Sequence, residues 1–134
     1  MKLKIVTPER VVVEEEVEAV YGKTIDGMMG ILPHHVPVVT PLEIGVMSYL
    51  KEGQKKPLAV MGGLLSTDGK SVTVLCDAAE LSTEIDAVRA QLAKDRAQAE
   101  LHKLTDHHDV ALAQQALARA LVRLSLATGK ASAR

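Results

Sequence analysis

Phenylalanine and tryptophan are absent from this 134-residue chain, and its aromatic side chains are Tyr21 and Tyr49 alone. A core without large rings has to be assembled from Val, Leu, Ile, Met and Ala. The stacking platforms that hold single-stranded nucleic acid are missing. A formal net charge of −1 also lacks the basic excess of a phosphate-backbone binder, so nucleic acid is excluded as a partner. One cysteine, Cys76, cannot form an intramolecular disulfide, which makes a reducing compartment the default. Its place in the apolar run 72–76 reads as a small buried hydrophobe rather than a reactive thiol. A secretory leader is not expected, because Lys2 and Lys4 precede Thr7-Pro8-Glu9 instead of an apolar segment. The longest stretch free of Asp, Glu, Lys and Arg, residues 27–42, carries Pro33, Pro37 and Pro41 and cannot be a spanning helix. A membrane would be reached through a partner, without direct insertion.

Catalytic signatures are missing as well. The chain has no nucleophile elbow, no phosphate loop, no glycine-rich dinucleotide fingerprint and no cysteine-based metal spacing. Gly62-Gly63 precedes another strand-like run rather than a helix, so it reads as a turn. His102, His107 and His108 with Asp106 and Asp109 invite comparison with a metal cluster. The two adjacent histidines point different ways and fall where a solvated loop is expected, so a loop is the better reading. His34-His35 lies in a loop between Leu32 and Val36, which suits a turn or an interface.

What is present divides near Glu80. All five prolines and eight of the nine glycines fall in residues 1–80, with runs such as Val11-Val12-Val13, Leu58 to Met61 and Ser71 to Cys76. Lys51-Glu52-Gly53 and Asp68-Gly69 are hairpin cues. Many short strands at this spacing imply a β-sandwich or flattened barrel over residues 1–81. Residues 82–134 are dense in Ala, Leu, Arg, Lys, Gln and Glu, which is helix chemistry. Ser82 or Thr83 is expected to cap a first helix running to about residue 104, with Glu84 and Asp86 favoured at its positive end. Residues 105–109 suit a hairpin loop. A second helix is expected from about residue 110 to 128, with Val110, Leu117, Leu121 and Leu124 as its stripe and Gly129 as its end. Such alanine-rich helices bury little area and should be held loosely.

The arginines carry the sharpest expectation. Asp86, Arg89 and Arg96 share one helix face by spacing, as do Arg119 and Arg123 on the second helix. An antiparallel hairpin would bring both sets together. Four converging guanidinium groups repel unless an anion sits among them, and their N–H forks suit phosphate oxygens. Asp86 or Glu80 would accept from an adenine amino group or a ribose hydroxyl. The alternative is an ordinary solvated charged face.

Taken in order, residues 27–42 read Gly-Met-Met-Gly-Ile-Leu-Pro-His-His-Val-Pro-Val-Val-Thr-Pro-Leu, and this resembles the GxxGILPxHxPxxTxL signature of the epsilon subunits of F-type ATP synthases. Met61-Gly62-Gly63-Leu64-Leu65 is similar to that family's GG turn, with Leu64 where Phe is usual. Val6-Thr7-Pro8-Glu9 is similar to its opening strand and turn. The resemblance spans the chain. It implies a ten-stranded β-sandwich followed by a two-helix hairpin, in a non-catalytic subunit of the central stalk of a proton-translocating synthase. Its partners would be the gamma subunit, the c-ring and the alpha/beta catalytic head, at the cytoplasmic side of the inner membrane. The hairpin would fold against the sandwich or extend into the head and inhibit ATP hydrolysis. In some members the folded hairpin binds ATP through IDxxRA and RxxxR motifs. Ile85-Asp86-Ala87-Val88-Arg89-Ala90 matches the first and Arg119 with Arg123 the second, while Arg96 and Glu80 fall on further nucleotide-contacting positions. ATP is then a regulatory ligand, and no cofactor is required. His35 matches a c-ring-facing position, and Met28 stands where many members carry Glu. The readings left open are the same subunit without nucleotide sensing and a small ligand-binding scaffold domain.

Overall fold

The structure, a computed structural model, describes residues 1–129; the expected end of the hairpin at residue 134 lies outside them. Eight strands come first: β1 (Lys2–Val6), β2 (Val11–Glu16), β3 (Ala19–Thr24), β4 (Gly27–Ile31), β5 (Val38–Lys51), β6 (Gln54–Thr67), β7 (Ser71–Cys76) and β8 (Ala79–Leu81). A 3₁₀ turn at Ser82–Glu84 leads into helices α1 (Ala87–Leu101) and α2 (His107–Ala127). Strand order is β2-β1-β7-β6-β5-β3-β4, with β8 on β6.

Eight strands rather than ten follow from one backbone feature. β5 and β6 are each 14 residues long and pair from Val38↔Thr67 to Lys51↔Gln54. They run through both layers of the sandwich. Along β6, Leu58 and Val60 point into the core, whereas beyond the glycine pair the core residues are Leu65 and Thr67. Strict alternation would put 58, 60, 64 and 66 on one face. Gly62 (φ 76°) and Gly63 (φ 147°) invert the phase, so one strand presents a core face in each layer. β7 pairs with the segment from Gly63 onward, and β8 with Leu58–Val60. Cutting β5 and β6 at this kink would make ten strands. The glycine pair is thus a kink inside a strand and not a turn between strands. The Glu52-Gly53 and Asp68-Gly69 hairpins form as expected, with Asp68 Oδ1 accepting the Lys70 and Ser71 N–H groups at 2.9 Å each.

The core is aliphatic. Leu3, Ile5, Val20, Leu58, Val72 and Val74 are fully buried, and Tyr49 is the one ring among them. Each such Leu, Ile or Val contributes about 1.5–3 kcal/mol by leaving water. Cys76 is buried, its Sγ 3.7 Å from the Val6 carbonyl oxygen to which it donates. Burial, then the charge of Asp77, pushes the thiol up to about 11, so it stays protonated and unreactive near neutrality.

The hairpin lies folded down on the outer face of the second layer. Leu126 is buried with Ala59 and Met61, and Ile44, Val46, Ala78, Ile85 and Val122 pack around them. Of these, Ile44 and Val46 on β5 and Ala59 and Met61 on β6 belong to the half of the paired strands that carries Leu58 and Val60, and face away from the core. Between the helices every buried position is an alanine, Ala90 and Ala97 on α1 and Ala113 and Ala120 on α2. Each pair is seven apart, so the small side chains form one seam and let the backbones approach closely. The expected leucine stripe is therefore not the buried face: Leu121 is exposed, and Val122 with Leu126 meets the sheet. α2 must face two neighbours at once, and alanines serve one while Val122 and Leu126 serve the other.

Helix starts also differ from expectation. Ser82 and Thr83 enter the 3₁₀ turn, Ile85 is extended, and Asp86 is the cap of α1, its Oδ1 accepting from Val88 N–H (2.9 Å) and Arg89 N–H (3.2 Å). Asp106 caps α2 likewise, through His108 N–H at 2.8 Å and Asp109 N–H at 3.4 Å. His107 and His108 belong to the first turn of α2 rather than to the loop. Among the described residues, no group of three or more His, Cys, Asp or Glu side chains is placed to hold a metal ion.

Candidate functional site

Where the sandwich hands over to the hairpin, β8, the 3₁₀ turn, the start of α1 and the last third of α2 enclose a cleft of about 340 Å³. Glu80, Glu84, Ile85, Asp86, Arg89, Ala90, Ala93 and Arg123 line it. Pairing of β8 with β6 fixes Glu80 opposite Ala59. Seating of α2 by Leu126 brings Arg123 across, and its Nε donates to Glu80 Oε1 at 2.6 Å. Both side chains are partly shielded, so this charge-assisted bond is stronger than an exposed pair. Ile85 lines the cleft while packing in the cluster that seats α2.

Five of the seven residues expected from the arginine pattern and the family motifs therefore share this cleft: Glu80, Ile85, Asp86, Arg89 and Arg123. Arg96 and Arg119 do not line it. Arg96 is seven residues beyond Arg89, about 10 Å along the axis, and lies exposed on α1. Arg119 opens instead into a separate hollow with Lys23, Glu43, Asp77 and Gln115. Sequence spacing sets the direction of a side chain around a helix, not its distance from a cleft at one end. Asp86 has a structural duty as well, since Oδ1 is engaged at the helix cap. The arrangement puts two arginine forks on one opening, one of them already bonded to a carboxylate, and such a set can bind and orient an anion.

Met28 is 67% exposed near the start of β4, and Ile25 at the same hairpin tip is 72% exposed. His35 lies four residues beyond the end of β4, where His34 N–H donates to the Gly69 carbonyl at 2.9 Å and pins the loop to the β6–β7 turn. His35 Nδ1 lies 2.7 Å from the Val36 carbonyl oxygen. Val36 and Leu32 in the same loop are exposed.

A further feature escaped the sequence reading. In register across five strands stand Pro41, Leu64, Leu75, Val6 and Val11, on β5, β6, β7, β1 and β2. Leu64, Leu75 and Val11 are 42%, 53% and 46% exposed, with Val39 next to the row at 65%. An apolar row across five strands is a candidate interaction surface. Its trace in the sequence is weak, because each strand gives it one residue and three of them look like ordinary core.

Comparison with known proteins follows the same order of strands and helices. Residues 1–82 match the ATP synthase Delta/Epsilon chain beta-sandwich domain, and residues 83–128 the long alpha-helix domain of the same chain. The ATP synthase epsilon chain of Symbiobacterium thermophilum is 45% identical over 128 residues, covering 95% of this chain and 92% of that one. The epsilon chain of Bacillus velezensis is 42% identical, with 95% and 96% covered. A chain in the solved Euglena gracilis mitochondrial ATP synthase, comprising OSCP, F1 and c-ring, superposes with a TM-score of 0.80 at 25% identity, covering 94% of this chain and 79% of that one. Two consecutive domain matches that meet at the sandwich–hairpin boundary, together with full-length relatives of this closeness, show that the chain belongs to the epsilon-chain family of F-type ATP synthases, whose members are non-catalytic subunits of the central stalk.

Proposed function

We propose that this chain joins the gamma shaft to the c-ring of a proton-translocating synthase, at the cytoplasmic side of the inner membrane, and that its hairpin regulates ATP hydrolysis in the catalytic head. The apolar row is the seat of the shaft. The membrane is met through the c-ring, by exposed Met28 and by the His35 loop, where Leu32 and Val36 are exposed; no helix among the described residues is long and apolar enough to cross a membrane. Leu75→Glu with Leu64→Glu should abolish co-purification with gamma while leaving the melting temperature within a few degrees, because both side chains already face water. Undiminished co-purification would remove the row from the interface.

The hairpin senses ATP. The observation that carries this is the cleft itself, which forms only while α2 is seated and places Arg89 and Arg123 on one opening. Its volume falls within the range of small-molecule sites. Arg89 and Arg123 would hold phosphate oxygens. Glu80, exchanged from Arg123, would accept from a ribose hydroxyl or adenine amino group. Recruiting Arg96 and Arg119 as well requires the helices to re-seat. A ligand held by the folded-down state alone stabilises it by about 2.7 kcal/mol at a hundredfold excess over Kd. That suffices to reset a balance of a few kcal/mol and keep the hairpin out of the head.

Millimolar ATP should therefore raise the melting temperature of the wild-type chain, and Arg89→Ala should lose that rise. Arg89 is the cleaner probe because Arg123 also bonds Glu80 in the free protein. A second reading, the same subunit without nucleotide sensing, draws on that bond and on the Asp86 cap, which already satisfy the polar groups concerned. Calorimetric titration that gives no heat with ATP decides for it.

A further inference from the structure

The nucleotide cleft has a wall residue, Glu84, whose partner comes from outside the hairpin. The guanidinium of Arg10, in the turn between β1 and β2, donates from Nη2 to Glu84 Oε2 at 2.7 Å, across 74 residues of sequence. The other carboxylate oxygen, Oε1, accepts the Leu81 N–H at 3.0 Å. Both oxygens of Glu84 are thus turned onto the linker and the sandwich. The Leu81 N–H, and after it the Arg10 guanidinium, hold this carboxyl below the usual carboxylate range. Glu84 therefore stays charged at the mouth of a site proposed to take a polyanion.

The charges on the cleft wall make this matter. Glu80, Glu84 and Asp86 are set against Arg89 and Arg123, a net −1 among the lining residues. Glu80 and Arg123 cancel each other at 2.6 Å, and Asp86 is turned onto the Val88 and Arg89 N–H groups at the cap of α1. Glu84 is the carboxylate left over, and Arg10 is what neutralises it. We propose that Arg10 is a positioning residue of the nucleotide cleft, raising its affinity for a nucleoside triphosphate by holding Glu84 aside and cancelling its charge. This rests on the reading of the cleft as an ATP site. Contribution to folding is a separate and small matter, since the Arg10 and Glu84 side chains are 49% and 35% exposed, and exposed pairs add little stability. The turn itself survives loss of the side chain. Thr7 N–H donates to the Arg10 carbonyl at 2.9 Å, and Arg10 N–H to Thr7 Oγ1 at 3.3 Å, both through the Arg10 backbone.

Calorimetric titration of the full chain with ATP tests the proposal in four variants: wild type, Arg10→Ala, Glu84→Gln and the double substitution. Arg10→Ala is expected to weaken binding about two- to fivefold, the range of a single exposed charge pair. The deficit should shrink as salt is added. Glu84→Gln should bind at least as well as wild type. In the double variant binding should return to the Glu84→Gln level, because no uncompensated carboxylate then remains to face the phosphates. Binding by Arg10→Ala equal to wild type overturns the proposal. So does a double variant as weak as Arg10→Ala, which would place the effect in the turn rather than in the charge of Glu84. A wild-type chain that binds no ATP removes the cleft reading and this inference together, whereas the first two results leave the cleft reading standing.

Discussion

Substitution of Gly63 by alanine is expected to leave little folded protein. A Cβ built at this position falls 2.3 Å from the Leu75 carbonyl oxygen and 2.9 Å from Cys76 Cα, both backbone atoms of β7 that cannot swing away. The residue also holds φ at 147°, which L side chains rarely adopt. Relief requires β7 to separate from β6 where the two layers are knitted together. Strain and a broken ladder at one site add about 3–5 kcal/mol, against a total stability of about 5–15 kcal/mol for a domain. Gly62→Ala is the matched comparison. Its φ of 76° is left-handed, but the new Cβ would sit 3.6 Å from the Leu42 carbonyl oxygen, an ordinary contact. A cost of about 1–2 kcal/mol is expected there. Urea denaturation of the two variants checks the pair. A Gly63→Ala midpoint no lower than that of Gly62→Ala would mean that the phase inversion at the kink does not depend on the close approach of β7.

Leu126→Asp should detach the hairpin and spare the sandwich. Leu126 is 3% exposed and is the largest side chain that α2 buries between Ala59 and Met61. Ile85 and Val122, which join it from the hairpin side of that cluster, are only half-buried, so it supplies much of the docking free energy, about 2–3 kcal/mol for a fully buried leucine. A carboxylate in the same place would lose that term and face desolvation without a cationic partner, which costs several kcal/mol more. Undocking avoids the penalty, because the hairpin seam of alanines does not involve residue 126. Trypsin should then cut the variant rapidly at Arg119 and Arg123, while the strand-rich circular dichroism signal and the sandwich fragment persist. Cleavage no faster than in the wild type would show that other contacts seat the helix.

The division of the chain was legible because composition changes sharply near residue 80: glycine and proline stop and alanine begins. Hairpins at Glu52-Gly53 and Asp68-Gly69 were legible because positive φ has few residue choices. The same rule misled at Gly62-Gly63, where the glycines serve a kink within a strand. Pairing partners decide between a kink and a turn, and they lie elsewhere in the sequence. At Asp86 the nearer Ser82 and Thr83 competed for the cap and lost, since Glu84 closes back on Leu81 and draws residues 82–84 into a separate turn. Leu121 read as buried because it continues the periodic stripe of Val110, Leu117 and Leu124; the seam needed small residues, and Ala113 and Ala120 took the inner positions. That Arg89 and Arg123 would line one opening was legible from motif and face. Arg96 and Arg119 share those faces yet stand away from the cleft, and Arg10 could not be found at all, because nothing local ties it to Glu84.

The kink at Gly62-Gly63 has a mechanical consequence. β5 and β6 carry the apolar row on one side of it and the bed of α2 on the other, and both strands pass through without a break in the chain or a flexible connector. Any torque that the shaft applies to Leu64 and Pro41 is passed to Ala59 and Met61 along two ribbons clamped by their own hydrogen-bonded ladder. If the apolar row is the seat of the shaft as proposed, the mount of the hairpin turns with it as one stiff part, and compliance is left to the short linker around Ile85 and to the helices themselves.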